Sequence, residues 1–147
     1  MSIEVQTTRF GVRSVAEGDV IDFPNGLVGL PGNRYVLLSE RADALFSWLQ
    51  SLADPALALP LIDPRLVRPD YSLELTAADR EVLGLAKAED ATVYVAVSAR
   101  PDPHETTVNL RAPILVVGRR GFQVVTNGPD EDLRVPLLGG ARAQAAA

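Results

Sequence analysis

The 147-residue sequence contains no cysteine, which excludes disulfides, thiolate catalysis and cysteine-ligated zinc or iron–sulfur centres. Aromatic residues make up only 5% of the chain, so a mostly aliphatic core is expected. No apolar run approaches the roughly 18 residues of a membrane-spanning helix. Polar residues also interrupt the N-terminus where a signal peptide needs an apolar run. Together these absences predict a cytoplasmic protein that neither spans nor binds a membrane.

What is present is an ordinary globular composition. The chain is 47% apolar and 22% charged, and its length fits one domain with a sizeable core. We expect this single domain to span residues 1–138. The small, polar and alanine-rich end, residues 139–147, predicts a flexible tail.

Acidic residues outnumber basic ones. The chain has 19 Asp and Glu against 14 Lys and Arg, which gives a formal net charge of −5. Such a chain repels phosphate backbones on average, so direct nucleic-acid binding is not expected. The same charge is compatible with a basic protein partner.

Alternating patterns and short apolar runs predict many β-strands. Residues 3–7 alternate like a half-buried strand, and residues 12–15 are a candidate continuation after Gly11. Pro60 interrupts the run at 57–62, so that strand is expected at an edge or a bulge. Further strands are predicted at residues 20–23, 35–38, 46–49, 92–99, 112–117 and 122–126. In the strand at 92–99, Val93, Val95 and Val97 should share one face, with Tyr94 and Ala96 on the other.

Turn and cap signals separate these strands. Residues 24–33 contain Asn-Gly and Pro-Gly dipeptides and predict a loop, and residues 118–121 predict a tight hairpin connection. Thr76 and Asp79 resemble a capping box, with Leu75 before it, and Gly84 stands where a helix of about two turns would end. The predicted fold class is therefore mainly β, a closed or nearly closed antiparallel β-barrel-like domain with one or two short helices.

The only histidine, His104, lies in the segment Pro-Asp-Pro-His-Glu at 101–105. Asp102, His104 and Glu105 could be read as a metal or acid–base group. Their spacing is not that of a zinc-binding helix, and the two prolines imply an extended loop. We therefore favour a solvated loop and predict no metal and no cofactor.

Other candidate catalytic groups have simpler interpretations. Three serines could act as nucleophiles, but no G-x-S-x-G motif surrounds them: Ser47, Ser51 and Ser98. Asp54, Asp63 and Asp70 could pair as catalytic carboxylates. Asp54 and Asp63 precede prolines, however, where aspartate commonly forms turns, so we favour a role in turns. Glycines at 26, 29 and 32 are followed by no lysine, so turns are favoured over phosphate binding.

Two polar–apolar blocks leave their role open at the level of residue chemistry. Trp48, two residues before Gln50, suits either a core or an interface, because tryptophan buries a large apolar surface in both settings. Asn109 follows Thr107 and precedes an apolar strand, where it could bridge backbone groups or contact a ligand. Residue chemistry alone thus favours a binding protein over an enzyme.

These segments, in this order, resemble the flagellar assembly factor FliW family. The most specific blocks are W-L-Q-S at 48–51 and T-V-N-L-R-A-P-I at 107–114. Supporting segments lie at 10–11, 21–30, 34–38, 54–59, 62–64, 69–71 and 123–125. The resemblance covers roughly residues 10–137, almost the whole chain.

The resemblance implies a non-enzymatic, β-barrel-like protein that binds two protein partners. One is the carbon storage regulator CsrA, which represses translation of flagellin mRNA, and the other is flagellin itself. Binding to CsrA relieves the repression, and excess flagellin releases CsrA again. A small-molecule-binding or hydrolytic β-barrel is the alternative function.

From the two signature blocks we predict a partner-binding site, with flagellin contacted there. Its residues are Trp48, Leu49, Gln50, Ser51, Thr107, Val108 and Asn109. The rival interpretation is that these residues only hold the barrel together.

The sequence departs from the family pattern at a few places. Pro60 interrupts a run that the family fills with Phe and Val, and Arg65 stands where an aromatic residue is common. The turn at 118–121 is short, and the chain end is rich in alanine. These departures bear on the partner contacts more than on the fold.

Overall fold

The fold is seen in a computed structural model, which describes residues 1–30, 32–39, 44–73, 75–84, 91–98, 101–126 and 129–137. These described residues form ten β-strands: β1 (Ser2–Thr7), β2 (Gly11–Ala16), β3 (Val20–Asp22), β4 (Arg34–Leu38), β5 (Ser47–Ser51), β6 (Ala58–Ile62), β7 (Thr92–Ser98), β8 (Thr107–Val117), β9 (Arg120–Gln123) and β10 (Val135–Pro136). The same described residues form two short α-helices, α1 (Pro64–Val67) and α2 (Ala77–Leu83). Within the described ranges, 3₁₀ turns lie at Glu17–Asp19, Pro103–Glu105 and Asp130–Leu133. The expected flexible tail at 139–147 lies outside the described residues.

Seven strands close into a barrel, as the sequence predicts. The order is β8-β7-β6-β5-β4-β3-β9, and β9 pairs back onto β8. All of these pairings are antiparallel except that of β3 with β9, a parallel bridge between Asp22 and Arg120. β10 extends the sheet beside β8, and β1 and β2 form a separate antiparallel hairpin.

The barrel interior is filled by apolar side chains from almost every strand. Tyr35, Leu49 and Leu61 are fully buried there, and Phe23 packs edge-to-face on Tyr35 with ring centroids 5.6 Å apart. Three smaller apolar clusters cover the outside of the barrel. One of them, formed with the hairpin, contains Val5, Val36 and Leu38. The sheet is therefore packed on both faces, which explains its continuous apolar runs.

β7 shows the predicted alternation. Tyr94 and Ala96 pack against the interior cluster, whereas Val95 and Val97 belong to an outer cluster and Val93 to its neighbour. The β7–β8 pairing is irregular, because Tyr94 lies opposite Ile114 and Ala96 lies opposite Asn109. Residues 110–113 of β8 therefore lie opposite the single residue Val95 of β7, and such an excess of residues bends a strand.

The predicted helix is also present. In α2 the Thr76 hydroxyl accepts a hydrogen bond from the Asp79 amide at 3.0 Å, and the Asp79 carboxylate accepts one from the Thr76 amide at 3.2 Å. Gly84 ends the helix with φ 69°, a left-handed conformation that glycine adopts without a Cβ penalty. The capping signals therefore set both ends of this element. Among the described residues, no helix is long and apolar enough to cross a bilayer.

The expectation for residues 12–15 was wrong, and so was the edge alternative for the strand that contains Pro60. Residues 12–15 do not continue β1 but return antiparallel to it, because the chain reverses at Thr8–Phe10 and Gly11 has φ 74°. β6 is not an edge strand, since it lies between β5 and β7. Its ladder with β7 begins only at Leu61, just beyond Pro60. The missing amide of Pro60 therefore costs no hydrogen bond in that ladder.

Candidate functional site

The W-L-Q-S block forms most of β5 and divides between the two faces of the sheet. Leu49 is fully buried in the barrel interior. Trp48 and Gln50 point to the outer face, where the hairpin covers the sheet. Ser51 is 1% exposed, and its hydroxyl accepts hydrogen bonds from the amides of Ala53 and Asp54, each at 3.1 Å. Three of the four predicted contact residues therefore have almost no exposed surface.

Gln50 holds the turn that follows β5. Its side chain is 0% exposed, and its Nε2 donates to the carbonyls of Ser51, Asp54 and Pro55 at 3.1, 3.3 and 3.2 Å. The Pro55 carbonyl also accepts a hydrogen bond from the amide of Thr8 in the hairpin, at 2.8 Å. Gln50 thus links a barrel turn to the hairpin through shared backbone groups.

Trp48 is half-buried under the tip of the hairpin. The guanidinium carbon of Arg9 lies 3.8 Å from the centre of the indole ring, and Phe10 meets the ring edge-to-face at 6.4 Å. Arg13 in turn lies 5.2 Å from the centre of the Phe10 ring. We call these four side chains the Arg9–Trp48 surface: Arg9, Phe10, Arg13 and Trp48.

The T-V-N-L-R-A-P-I block forms the bend in β8. The Asn109 carboxamide oxygen accepts a hydrogen bond from the Arg111 amide at 2.9 Å. The Arg111 carbonyl accepts from both the amide and the hydroxyl of Thr126, at 2.7 and 3.0 Å. The Gln123 side chain also supplies hydrogen bonds to this region. It donates to the Ala112 carbonyl and accepts from the Val28 amide. These contacts supply partners for backbone groups that the irregular ladder leaves unpaired.

Asn109 and Thr107 also line a surface groove. Two adjoining cavities of about 600 and 400 Å³ share the side chains of Leu59, Ala96, Asn109 and Leu133. Thr107 borders the larger cavity, and Val28 and Val125 border the smaller one. We call the joined cavities the Asn109 groove.

The Asn109 groove has an unusually exposed apolar rim. Val28, Val125 and Leu133 are 71%, 62% and 42% exposed. Their side chains surround a floor that packs against the barrel interior, including Leu59 and Ala96. Contiguous exposed apolar side chains with a polar border are typical of protein-binding surfaces.

The structure does not bring the two predicted blocks into one patch. Trp48 lies on the outer face beneath the hairpin, whereas Thr107 and Asn109 open into the groove. Val108 is fully buried in an outer cluster with Val97. Of the seven predicted contact residues, Trp48, Thr107 and Asn109 therefore keep accessible surface.

The other candidate groups form turns, as the sequence predicts. His104 is exposed in the 3₁₀ turn Pro103–Glu105, and the Asp102 carboxylate accepts a hydrogen bond from its amide at 2.9 Å. Asp54 and Asp63 accept in the same way from backbone amides two residues ahead. Within the described ranges, no group of three His, Cys, Asp or Glu residues is placed to hold a metal ion.

One ion pair gave no signal in the sequence, because its partners are 64 residues apart. Arg68 donates two hydrogen bonds to the Asp132 carboxylate, at 2.8 and 3.2 Å. This interaction lowers the pKa of the Asp132 carboxyl, chiefly through the hydrogen bond from Arg68. The pair ties the end of α1 to the 3₁₀ turn Asp130–Leu133, which supplies Leu133 to the Asn109 groove. The Arg9–Trp48 contact was missed for the same reason of distance along the chain.

Comparison with known proteins places the chain among flagellar proteins. Residues 4–137 match the FliW protein family. The flagellar assembly factor FliW of Bdellovibrio bacteriovorus is 39% identical over 91% of this chain and 78% of its own length. That of Geotalea uraniireducens is 35% identical over 92% of this chain and 85% of its own. A crystal structure of the flagellar assembly factor FliW superimposes with a TM-score of 0.82, at 31% identity, and covers 92% of this chain and 96% of that one. The chain therefore belongs to the FliW family of flagellar assembly factors.

Proposed function

We propose that this protein is a non-enzymatic, cytoplasmic assembly factor that binds CsrA and flagellin and relieves repression of flagellin translation by switching between them. The observation that supports the proposal most is family membership over residues 4–137. Its relatives are named assembly factors rather than enzymes. Switching requires only that occupancy by one partner lowers affinity for the other, a coupling that acts equally in both directions.

The net charge of −5 supports a basic partner such as an RNA-binding regulator. Negative charge disfavours the RNA itself and steers a positively charged protein toward this chain. The filled barrel interior does not favour the alternative of a small-molecule-binding barrel, because Tyr35, Leu49 and Leu61 occupy the space a ligand would need.

For flagellin, the part of the predicted site that supports contact best is the Asn109 groove. It combines the accessible Thr107 and Asn109 side chains with the exposed apolar rim of Val28, Val125 and Leu133. Amphipathic helices bind surfaces of this kind, with apolar side chains in the groove and polar ones at its border. Trp48 remains a second candidate contact at the hairpin.

The test is a binding titration of the purified protein against CsrA and against flagellin from the same organism. Saturable binding to both, with one displacing the other, is the expected result. The proposed function requires both partners, so absence of binding to CsrA or absence of binding to flagellin would refute it.

The groove is tested separately by the variants Val28→Ser and Val125→Ser. Both side chains are mostly exposed, so folding should change little while flagellin affinity falls by about 1–2 kcal/mol for each. Leu66→Ser is the matched control, since Leu66 is 60% exposed on α1, outside the groove. Normal flagellin affinity in the two groove variants would move the contact elsewhere without refuting the function.

A further inference from the structure

The Arg9–Trp48 surface places two arginines beside two aromatic rings on a chain that is acidic as a whole. Arg9 is exposed, and Phe10, Arg13 and Trp48 are half-buried. Arg9 contacts the Trp48 ring, Trp48 contacts Phe10, and Phe10 contacts Arg13. The two aromatic rings therefore lie between two cations. The whole chain, these two arginines included, carries a net charge of −5, which makes this grouping of arginines and rings distinctive.

The two arginines keep their hydrogen-bonding capacity. Neither guanidinium forms an ion pair or hydrogen bond with the part of the chain that the structure describes. A guanidinium stacked on a ring still presents its N–H groups at its edge, where they can bind a carboxylate with two parallel hydrogen bonds. Stacking also restricts the side chain, so less entropy is lost when that edge is bound.

Hydrogen bonds stabilise the hairpin tip that presents Arg9 and Phe10. The Thr7 hydroxyl donates to the Gly11 carbonyl at 2.8 Å and accepts from the Phe10 amide at 2.7 Å. The Thr8 amide donates to the Pro55 carbonyl of the barrel. Hydrogen bonds on both sides of the tip therefore preorganise the surface for a partner.

We propose that the Arg9–Trp48 surface binds an acidic segment of a protein partner through carboxylates held by Arg9 and Arg13. Charge complementarity identifies the occupant, because two guanidiniums without an ion pair to any described residue attract negative groups and offer them bidentate geometry. The apolar edges of Phe10 and Trp48 would pack against aliphatic side chains between the carboxylates. This surface is separate from the Asn109 groove and does not depend on what binds there.

A nucleic acid is the less favoured occupant. Single-stranded RNA binds by stacking bases on open aromatic faces within a broadly positive groove. Here Arg9 covers the face of the Trp48 ring, and Phe10 occupies its edge. Two arginines also provide few phosphate contacts against the net charge of the chain.

The experiment titrates the full chain at low salt with a short blocked peptide of sequence DLEDLE. The readouts are calorimetry and the fluorescence of Trp48, which is the only tryptophan. We expect saturable binding with a change in Trp48 emission, and no such response to the charge-reversed peptide KLKKLK. Absence of saturation, or an equal response to both peptides, would overturn the proposal. Tighter binding of a single-stranded RNA of similar length would overturn it in favour of a nucleic-acid surface.

Variants assign the effect to the guanidiniums. Arg9→Gln and Arg13→Gln should each weaken peptide binding roughly ten-fold, since each removes charged hydrogen bonds. Arg9→Lys keeps the charge but loses the planar fork, so an intermediate affinity is expected. Arg80→Gln is the control, because it removes the same charge from an exposed position on α2. Equal weakening in Arg80→Gln would show a general charge effect and refute this site, and circular dichroism confirms that each variant is folded.

Discussion

Replacing Gln50 should test whether this residue of the W-L-Q-S block stabilises the fold. Its Nε2 carries two hydrogens that three carbonyl oxygens share at 3.1–3.3 Å, which amounts to about two hydrogen bonds worth 0.5–1.5 kcal/mol each. Gln50→Ala also leaves a cavity at a fully buried position. The free energy of unfolding should therefore fall by about 2–4 kcal/mol in urea denaturation.

Two further substitutions separate the contributions. Gln50→Met keeps most of the side-chain volume and loses the hydrogen bonds, so we expect a smaller loss of about 1–3 kcal/mol. Gln50→Glu places a carboxyl against three carbonyl oxygens, which should raise its pKa above the ordinary value of about 4.3. Its protonated form is then favoured by folding, so the variant should be most stable below that ordinary pKa and lose stability as pH rises through the raised value.

The control is Gln6→Ala, because Gln6 is exposed on β1. Unfolding free energies within about 0.5 kcal/mol of the wild type for Gln50→Ala would refute this account of the turn. Flagellin affinity of the folded variant should stay unchanged, since Gln50 has no exposed surface. A loss of affinity without a loss of stability would instead support Gln50 as a partner contact.

Three other outcomes follow from the structure and the charge. Gly121→Ala should lower the free energy of unfolding by about 1–3 kcal/mol in urea denaturation, because its new Cβ would overlap the buried ring of Phe23; Gly18→Ala, with open space around it, should change little. Asp132→Asn should cost about 0.5–1 kcal/mol near neutral pH. The pKa of Asp132 is lowered by Arg68, so the pair stabilises the fold above the ordinary value of about 3.9, and the difference from the wild type should vanish as pH falls through the lowered pKa. The association rate with the proposed partner CsrA, measured by stopped flow, should fall as salt rises, and a flat profile would contradict steering by net charge.

Local signals in the sequence were sufficient for much of the fold. The alternation along β7, the Thr76–Asp79 capping box and the turn at 118–121 depend on neighbouring residues, so they are readable from the chain alone. The abundance of short strands likewise predicted a closed barrel. Predictions that depended on which strands become neighbours did less well, because the sequence does not specify strand order. Pro60 is compatible with an interior strand only because the β6–β7 ladder begins after it.

For the candidate site, too, some features follow from the sequence alone and others only from tertiary contacts. By itself, the sequence determined the family, through two motif blocks, and the acidic charge that limits the choice of partners. Tertiary structure decided what the motif residues do. Alternation in β5 buries Leu49 and turns Trp48 outward beneath Arg9, and the bend in β8 buries Val108 while opening Asn109 into a groove. Burial and stacking depend on contacts between residues far apart in the chain, so no local pattern of residues could specify them.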